Sequence, residues 1–255
     1  MSDLPARPTR LLLLRHGETE ANLAGVLQGQ SESNLTSLGQ RQAADLGAAL
    51  ARLLAPADAI DALTPVIYTS DLRRAVDTAQ AVADAFAISS TSLPPLKLHA
   101  DPRMRERLLG PFQGCTQAEA ARRYPRLWAW SFGNDDNESP PDEAGASDNG
   151  GVETFEQMKI RAGFALADVA AAHAGSTTLV VAHGGWITAA VLGILGEHAH
   201  CPHIGNTSVT TLIAPAQPGG AWRVQAVGEA LGSGHADSGR SRTPASAPNV
   251  DVLRR

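Results

Sequence analysis

Apolar residues along this chain fall either in short unbroken runs or in longer stretches at helical spacing. Leu11-Leu12-Leu13-Leu14, between Arg10 and Arg15, has the length of a buried strand. From Thr36 to Leu54 the apolar positions Leu38, Ala43, Leu46, Ala49, Leu50 and Leu53 predict a helix, with Thr36 as N-cap and Pro56 enforcing a stop. Val66-Ile67-Tyr68-Thr69 predicts a second strand, and Ser70 and Asp71 are cap candidates for a helix reaching Phe86. Leu96 to His99 predicts a third strand, and Thr116 to Tyr124 a short helix closed near Pro125. Thr177 to Ala182 predicts a strand, Gly184-Gly185 a turn, and Trp186 to Leu195 a helix. Ser208 to Ala214 and Trp222 to Val227 predict closing strands joined by a turn at Pro218-Gly219-Gly220. Strands alternating with helices predict an α/β fold, a three-layer α/β/α arrangement whose mostly parallel sheet carries an antiparallel edge.

Two stretches break this pattern. Gly133 to Gly151 holds Asp135, Asp136, Glu138, Asp142, Glu143 and Asp148 without a Lys or Arg, and Pro140-Pro141 opposes regular structure, so an acidic surface loop is expected. Residues 232–255, rich in Ser, Gly, Ala and Pro, are expected to be a disordered tail. With residues 1–9 as an N-terminal arm, one catalytic domain is left at 10–231.

Composition narrows the partners. The 255 residues are 43% hydrophobic and 18% charged, enough apolar residue for a sizeable core. A formal charge of −5 argues against non-specific nucleic-acid binding, which needs many phosphate-neutralising cations. It leaves open a small anion held by two or three local charges. Cys115 and Cys201 cannot build a disulfide framework, no apolar run reaches the length of a membrane span, and a cytoplasmic protein without membrane partners is expected.

The chemistry-bearing residues gather where strands are predicted to end. Arg15-His16-Gly17-Glu18-Thr19 closes the first strand, and His183-Gly184-Gly185 closes the strand ending at Ala182. Arg74 opens the helix after the second strand. In a parallel α/β sheet ligands collect at these carboxyl ends. Arginines and histidines converging there suit a phosphomonoester: the guanidinium groups bind its oxygens and a neutral imidazole attacks phosphorus. A carboxylic acid must protonate the leaving oxygen, and Glu106, in Arg105-Glu106-Arg107 after the third strand, is the candidate. The inference rests on joint placement, since a lone strand-end His, helix Arg or surface Glu is ordinarily structural.

Taken in order, these motifs resemble the histidine phosphatase superfamily, in the branch of phosphoglycerate mutases and related phosphatases. The resemblance runs from about Arg10 to Ala214 through Arg15-His16-Gly17-Glu18-Thr19 with Asn22, Gln28-Gly29-Gln30, Leu35-Thr36 with Gly39, Gln42 and Ala43, and Ser70-Asp71-Leu72-Arg73-Arg74-Ala75. It continues through Arg105-Glu106-Arg107, Glu153-Thr154, His183-Gly184-Gly185 and Asn206-Thr207-Ser208-Val209. It implies that His16 is the phosphoryl acceptor, that Arg15, Arg74 and His183 bind phosphate, and that Asn22 adds a neutral donor. It further implies that Glu106 is the proton donor and later the base, that Gly184 supplies a backbone N–H, and that Gln28 and Gly29 line the substrate side. No metal or cofactor is implied; 2,3-bisphosphoglycerate would prime the enzyme only if it were a mutase. A small phosphomonoester is the expected partner, and a homodimer is compatible with the resemblance.

Residue chemistry adds expectations. His16 should be neutral at its attacking nitrogen, with the other nitrogen donating to a carbonyl that fixes the tautomer, and His183 should work protonated. Glu106 should be protonated for the first step, a state that nearby phosphate charge favours.

Mutases place His-Tyr-Gly-Gly after the Glu-Arg pair, whereas this chain has Leu108-Leu109-Gly110-Pro111, which favours a phosphatase over a mutase. Arg122-Arg123-Tyr124-Pro125 does not decide between them. Val152 stands where relatives have Gly, before Glu153. A non-catalytic phospho-ligand-binding protein is a third reading, but it would be expected to lose the nucleophile or its arginines, and all are present. Cys115 precedes Arg122 by one residue too many for a cysteine-dependent phosphatase loop, so a structural thiol is expected. His198, His200, Cys201 and His203 use metal-ligand residue types at a spacing that fits no structural zinc pattern.

Overall fold

A computed structural model describes residues 7–54, 63–89, 95–132, 151–196, 198–217 and 220–231. Most of the expected N-terminal arm, the acidic loop up to residue 150, the tail, Pro56 and Pro218-Gly219 lie outside the described residues.

The leucine run forms strand β1 (Arg10–Arg15), followed by the short helix α1 (Glu20–Ala24) and helix α2 (Ser37–Leu54). Strand β2 (Leu63–Thr69) leads into helix α3 (Arg73–Ser89), and strand β3 (Lys97–Ala100) follows. Two short helices, α4 (Gln117–Arg123) and α5 (Pro125–Phe132), precede helix α6 (Phe155–Ala172). Strand β4 (Thr177–Ala182), helix α7 (Gly184–Leu195), and strands β5 (Ser208–Ile213) and β6 (Arg223–Ala230) complete the order.

The six strands form one sheet in the order β3-β2-β4-β1-β5-β6. β1 pairs parallel with β4, β4 with β2, and β2 with β3, whereas β5 runs antiparallel to both β1 and β6. The two-residue period of a strand divides the leucine run between two cores. Leu11 and Leu13 join Val180, Ala182, Met158, Ala162, Leu166, Trp186 and Ile187 under α6 and α7. Leu12 and Leu14 join Leu179, Val181, Leu46, Leu50, Ala79, Val82 and Phe86 under α2 and α3. Every residue of β4 is buried, as expected for a parallel strand covered on both faces. The three-layer α/β/α arrangement follows from these two apolar faces. No helix among the described residues is long and apolar enough to cross a membrane.

Several element boundaries differ from the sequence expectation. Thr36 does cap α2, its hydroxyl accepting from the Gly39 N–H at 3.0 Å, but Leu54 takes the buried place expected of Leu53, which is 54% exposed. Ser70 and Asp71 do not directly precede a helix: α3 begins at Arg73, Ser70 accepts from the Leu72 N–H, and Asp71 holds Arg105. Pro125 opens α5 rather than merely closing α4, a first-turn position where its missing N–H costs no bond. Gly184 and Gly185 are the first turn of α7, not a separate turn. β6 extends to Ala230, beyond Val227. Helix α6 lies where the sequence reading predicts no element; Thr154 caps it with a reciprocal bond to Gln157, and Met158, Ala162, Ala165, Leu166 and Val169 form its buried stripe.

A third apolar cluster packs Leu109, Phe112, Cys115, Ala120, Leu127 and Val152 beneath α4 and α5. Val152 is thus a core residue, 2% exposed and bridged to Leu109, which accounts for a branched side chain there. Cys115 is a buried free thiol in this cluster, 3.7 Å from the Arg123 guanidinium.

Candidate active site

The parallel register fixes where the site forms. Arg15 is level with Ala182, Val181 with Thr69, and Thr69 with Ala100, so β1, β4, β2 and β3 end along one edge. Main-chain bonds carry the alignment beyond the strands: His16 N–H donates to Ala182 (3.0 Å), Ser70 N–H to Val181 (2.9 Å), and Asp101 N–H to Thr69 (2.8 Å). The residues following these strands, His16, His183, Arg74 and Glu106, are thereby delivered to one place.

His16 and His183 face each other with ring centroids 5.2 Å apart. His16 Nδ1 lies 2.8 Å from the Gly17 carbonyl, which makes Nδ1 the protonated nitrogen and leaves the Nε2 lone pair for attack. The tautomer-fixing carbonyl is therefore that of the next residue. Gly17 must be glycine, because a Cβ would stand 2.5 Å from the Gly39 carbonyl oxygen of α2. Its N–H donates to Thr78, and Thr78 donates to the Arg74 carbonyl at 2.7 Å, tying the His16 loop to α3. The motif around Thr36 and Gln42 anchors the same loop. Gln42 accepts from the Glu18 N–H (2.9 Å), and the Thr36 hydroxyl donates to the Glu18 carboxylate (2.8 Å).

Arg74 is 1% exposed, and three bonds orient its guanidinium: Nη2 to the Gly29 carbonyl (2.7 Å), Nη1 to the Ser31 carbonyl (2.8 Å) and Nε to His183 Nδ1 (3.2 Å). One N–H on each terminal nitrogen remains beyond these three bonds. Gly29 thus acts through its carbonyl, as the orienter of Arg74. Arg15 is held through Nη1 to the Ile204 carbonyl at 2.6 Å. Because His183 Nδ1 accepts from Arg74, the proton of the neutral ring sits on Nε2, which is buried without a hydrogen-bond partner. The expectation of a protonated His183 is corrected by this contact: His183 is a neutral donor through Nε2. Gln28 carries a second buried atom without a partner, its Oε1.

Asn22 Oδ1 closes the capping box of α1 and receives the Asn206 amide at 3.4 Å, so its Nδ2 is the group left to donate. Asn206 also donates to the His16 carbonyl at 2.9 Å, a role the sequence reading did not give it. Glu106 accepts from two backbone donors, the Arg107 N–H on Oε1 (2.8 Å) and the Gly185 N–H on Oε2 (2.9 Å). Gly185 is packed so closely on Glu106 that any Cβ would collide with Oε1. The Gly184 N–H, at the start of α7, takes no bond among the described residues. Among the described residues, no group of three or more His, Cys, Asp or Glu is placed to hold a metal ion; His198, His200 and His203 lie exposed.

Burial holds both imidazoles well below the usual histidine range. The charges of Arg15 and Arg74 push His16 the same way against the raising effect of the Gly17 carbonyl, and Arg74, then His16 and Arg15, do so for His183. Below about pH 6.5 the unfolded chain therefore binds protons that the folded one refuses, so stability falls as pH falls. Each histidine steepens the decline by up to about 1.4 kcal/mol per pH unit. Urea unfolding from pH 7.5 to 5 is expected to show this slope, shallower in His183→Asn; an identical slope in both proteins contradicts it.

Known proteins are similar to this chain over most of its length. The profile described as histidine phosphatase superfamily (branch 1) matches residues 11–229. The chain is 34% identical over 186 residues to a metal-independent phosphoserine phosphatase of Arabidopsis thaliana, covering 73% of this chain and 68% of that protein. It is 35% identical over 192 residues to a glucosyl-3-phosphoglycerate phosphatase of Mycolicibacterium vanbaalenii, covering 74% and 76%. Among solved structures, a mycobacterial glucosyl-3-phosphoglycerate phosphatase in complex with VO3 superposes with a TM-score of 0.64 at 28% identity, covering 88% of this chain and 100% of that one.

Proposed function

We propose that this chain, which belongs to the histidine phosphatase superfamily (branch 1), uses its superfamily's phosphohistidine chemistry to hydrolyse a small phosphorylated metabolite. That it is a phosphatase rests on the family and on its phosphatase-named relatives. The assignment of roles to individual residues is our reading of the geometry. His16 Nε2 attacks phosphorus in line, forming the N–P bond as the ester P–O bond breaks. Arg15, Arg74, the His183 Nε2–H, the Asn22 amide and the Gly184 N–H receive the phosphoryl oxygens, donors held in place before the charge develops. Glu106 gives its proton to the departing oxygen, then takes one from the water that attacks phosphorus and frees His16. The observation that carries this reading is the Gly17 carbonyl on His16 Nδ1 at 2.8 Å, which presents the Nε2 lone pair beside His183 and Arg74.

Hydrolysis rather than isomerisation is favoured by Leu109. Where mutases carry the phenol of their His-Tyr pair, Leu109 is 7% exposed among Phe112, Cys115 and Val152. It offers nothing polar to retain a phosphorylated product. We propose further that no metal or cofactor is needed, that the protein is cytoplasmic, and that no nucleic acid or membrane is a partner. A homodimer is compatible with this proposal.

The test is a phosphomonoester panel containing phosphoserine, glucosyl-3-phosphoglycerate, and 3-phosphoglycerate with and without 2,3-bisphosphoglycerate, run with a chelator. Phosphate release without isomerisation, blocked by vanadate, is the expected result. Isomerisation of 3-phosphoglycerate faster than phosphate release overturns the hydrolase reading.

A further inference from the structure

Residues 101–108, which carry Glu106, form no strand; one short turn of helix, Pro102–Met104, is the only regular structure in the segment. Carbonyls in such a segment need partners from elsewhere. One side chain serves three of them. Arg161, on the second turn of α6, donates Nη1 to the carbonyls of Arg103 (2.8 Å) and Arg105 (2.7 Å), and Nη2 to the carbonyl of Glu106 itself (3.1 Å). Its remaining N–H groups grip Glu153 in a bidentate pair, Nε to Oε1 at 2.6 Å and Nη2 to Oε2 at 2.8 Å. All five guanidinium N–H groups are therefore spent. Glu153 closes the frame by accepting from the Leu108 N–H on Oε2 (3.2 Å) and from Arg107 Nε on its carbonyl (2.6 Å), while its own N–H donates to the Leu108 carbonyl (2.8 Å). Gln30 adds a second donor to the Glu106 carbonyl at 3.1 Å.

We propose that Glu153 and Arg161 are positioning residues for the proton donor, a clamp on the main chain either side of Glu106 that fixes its carboxyl at the leaving oxygen. The proposal rests on the reading of Glu106 as the acid. The Glu106 side chain is tethered by the Arg107 and Gly185 N–H groups. Those two bonds orient the carboxyl but leave its main chain to be held from behind, and the clamp does this. Arg161 and Glu153 side chains are only 19% and 13% exposed, so the pair is shielded enough to hold one geometry. A planar five-donor fork suits the task, and lysine cannot reproduce it. Proton transfer fails when the donor drifts out of hydrogen-bond reach, and a misplacement of about 1 Å can cost about 10²-fold.

A residue acting through the acid must matter most when the leaving group needs a proton. The test compares kcat/KM of the full-length wild type, Arg161→Gln, the milder Glu153→Gln, and Glu106→Gln on ethyl, phenyl and 2,4-dinitrophenyl phosphates. Both clamp variants are expected to lose about 10–10²-fold on ethyl and phenyl phosphate and to stay near wild type on the dinitrophenyl ester. Adding Arg161→Gln to Glu106→Gln should cost little more than Glu106→Gln alone. Uniform loss on all esters, no loss, or full additivity in the double variant overturns the clamp. A flat response of Glu106→Gln across the esters overturns the reading of Glu106 and the clamp with it. A steep response there with flat responses in both clamp variants overturns the clamp alone.

Discussion

Replacing His16 by alanine is expected to end turnover, with kcat falling by about 10⁴-fold or more. The substitution removes the one nitrogen presented as a lone pair to the site, while Arg15, Arg74 and His183 keep their anchors on Ile204, Gly29, Ser31 and one another. Anion binding should therefore outlast catalysis. Rapid quench with labelled substrate at neutral or alkaline pH should trap an acid-labile phosphoenzyme in the wild type and none in His16→Ala. Vanadate should still protect the variant against thermal unfolding. A variant that turns over at the wild-type rate, or that still carries label, removes His16 from the nucleophile role. His16 is 3% exposed and resists protonation because it is buried near two arginines. Its loss should also relieve part of the stability decline toward acid, a second signature independent of activity.

Glu106→Gln should cost about 10²–10⁴-fold on alkyl phosphates and far less on esters whose leaving group departs as a stable anion. The amide keeps the volume but carries no transferable proton. It also has one oxygen for two backbone donors, so either the Arg107 or the Gly185 N–H loses its acceptor. That local mismatch predicts a small stability loss in addition to the kinetic one. Thermal unfolding separates the two, because the kinetic defect follows leaving-group basicity and the structural defect does not. Equal losses on ethyl and dinitrophenyl phosphate would show that Glu106 is not the proton donor.

Much of the fold was legible because the two central parallel strands, β1 and β4, are short and carry unbroken apolar runs. Leu11–Leu14 and Leu179–Val181 read as buried strands for the same reason that they bury, being covered on both faces. The gathering of His16, Arg15, Arg74, His183 and Glu106 was legible because strand ends in a parallel sheet share an edge and the motifs occur in order. What escaped has a common physical cause. Arg161 works on main-chain carbonyls 55 to 58 positions away, and carbonyls leave no mark in a sequence. His183 looked like a cation until Arg74 took its Nδ1 lone pair, a contact between residues 109 positions apart. The glycines at 184 and 185 suggested a turn, although they open a helix and Gly185 admits Glu106 close to its start. Helix α6 is less legible because small alanines serve as core residues along much of its buried stripe.

The central strand has a consequence for how the molecule comes into being. β1 is synthesised before both of its neighbours in the sheet, β4 and β5, whose register partners lie between about 167 and 203 positions later. Pairing over such separations is slow, and the His16 loop has no fixed place until it is done. A chain emerging from the ribosome would therefore carry His16 early and remain inert until Ile213 is available. Phosphatase activity would report completed folding rather than the presence of the signature residues.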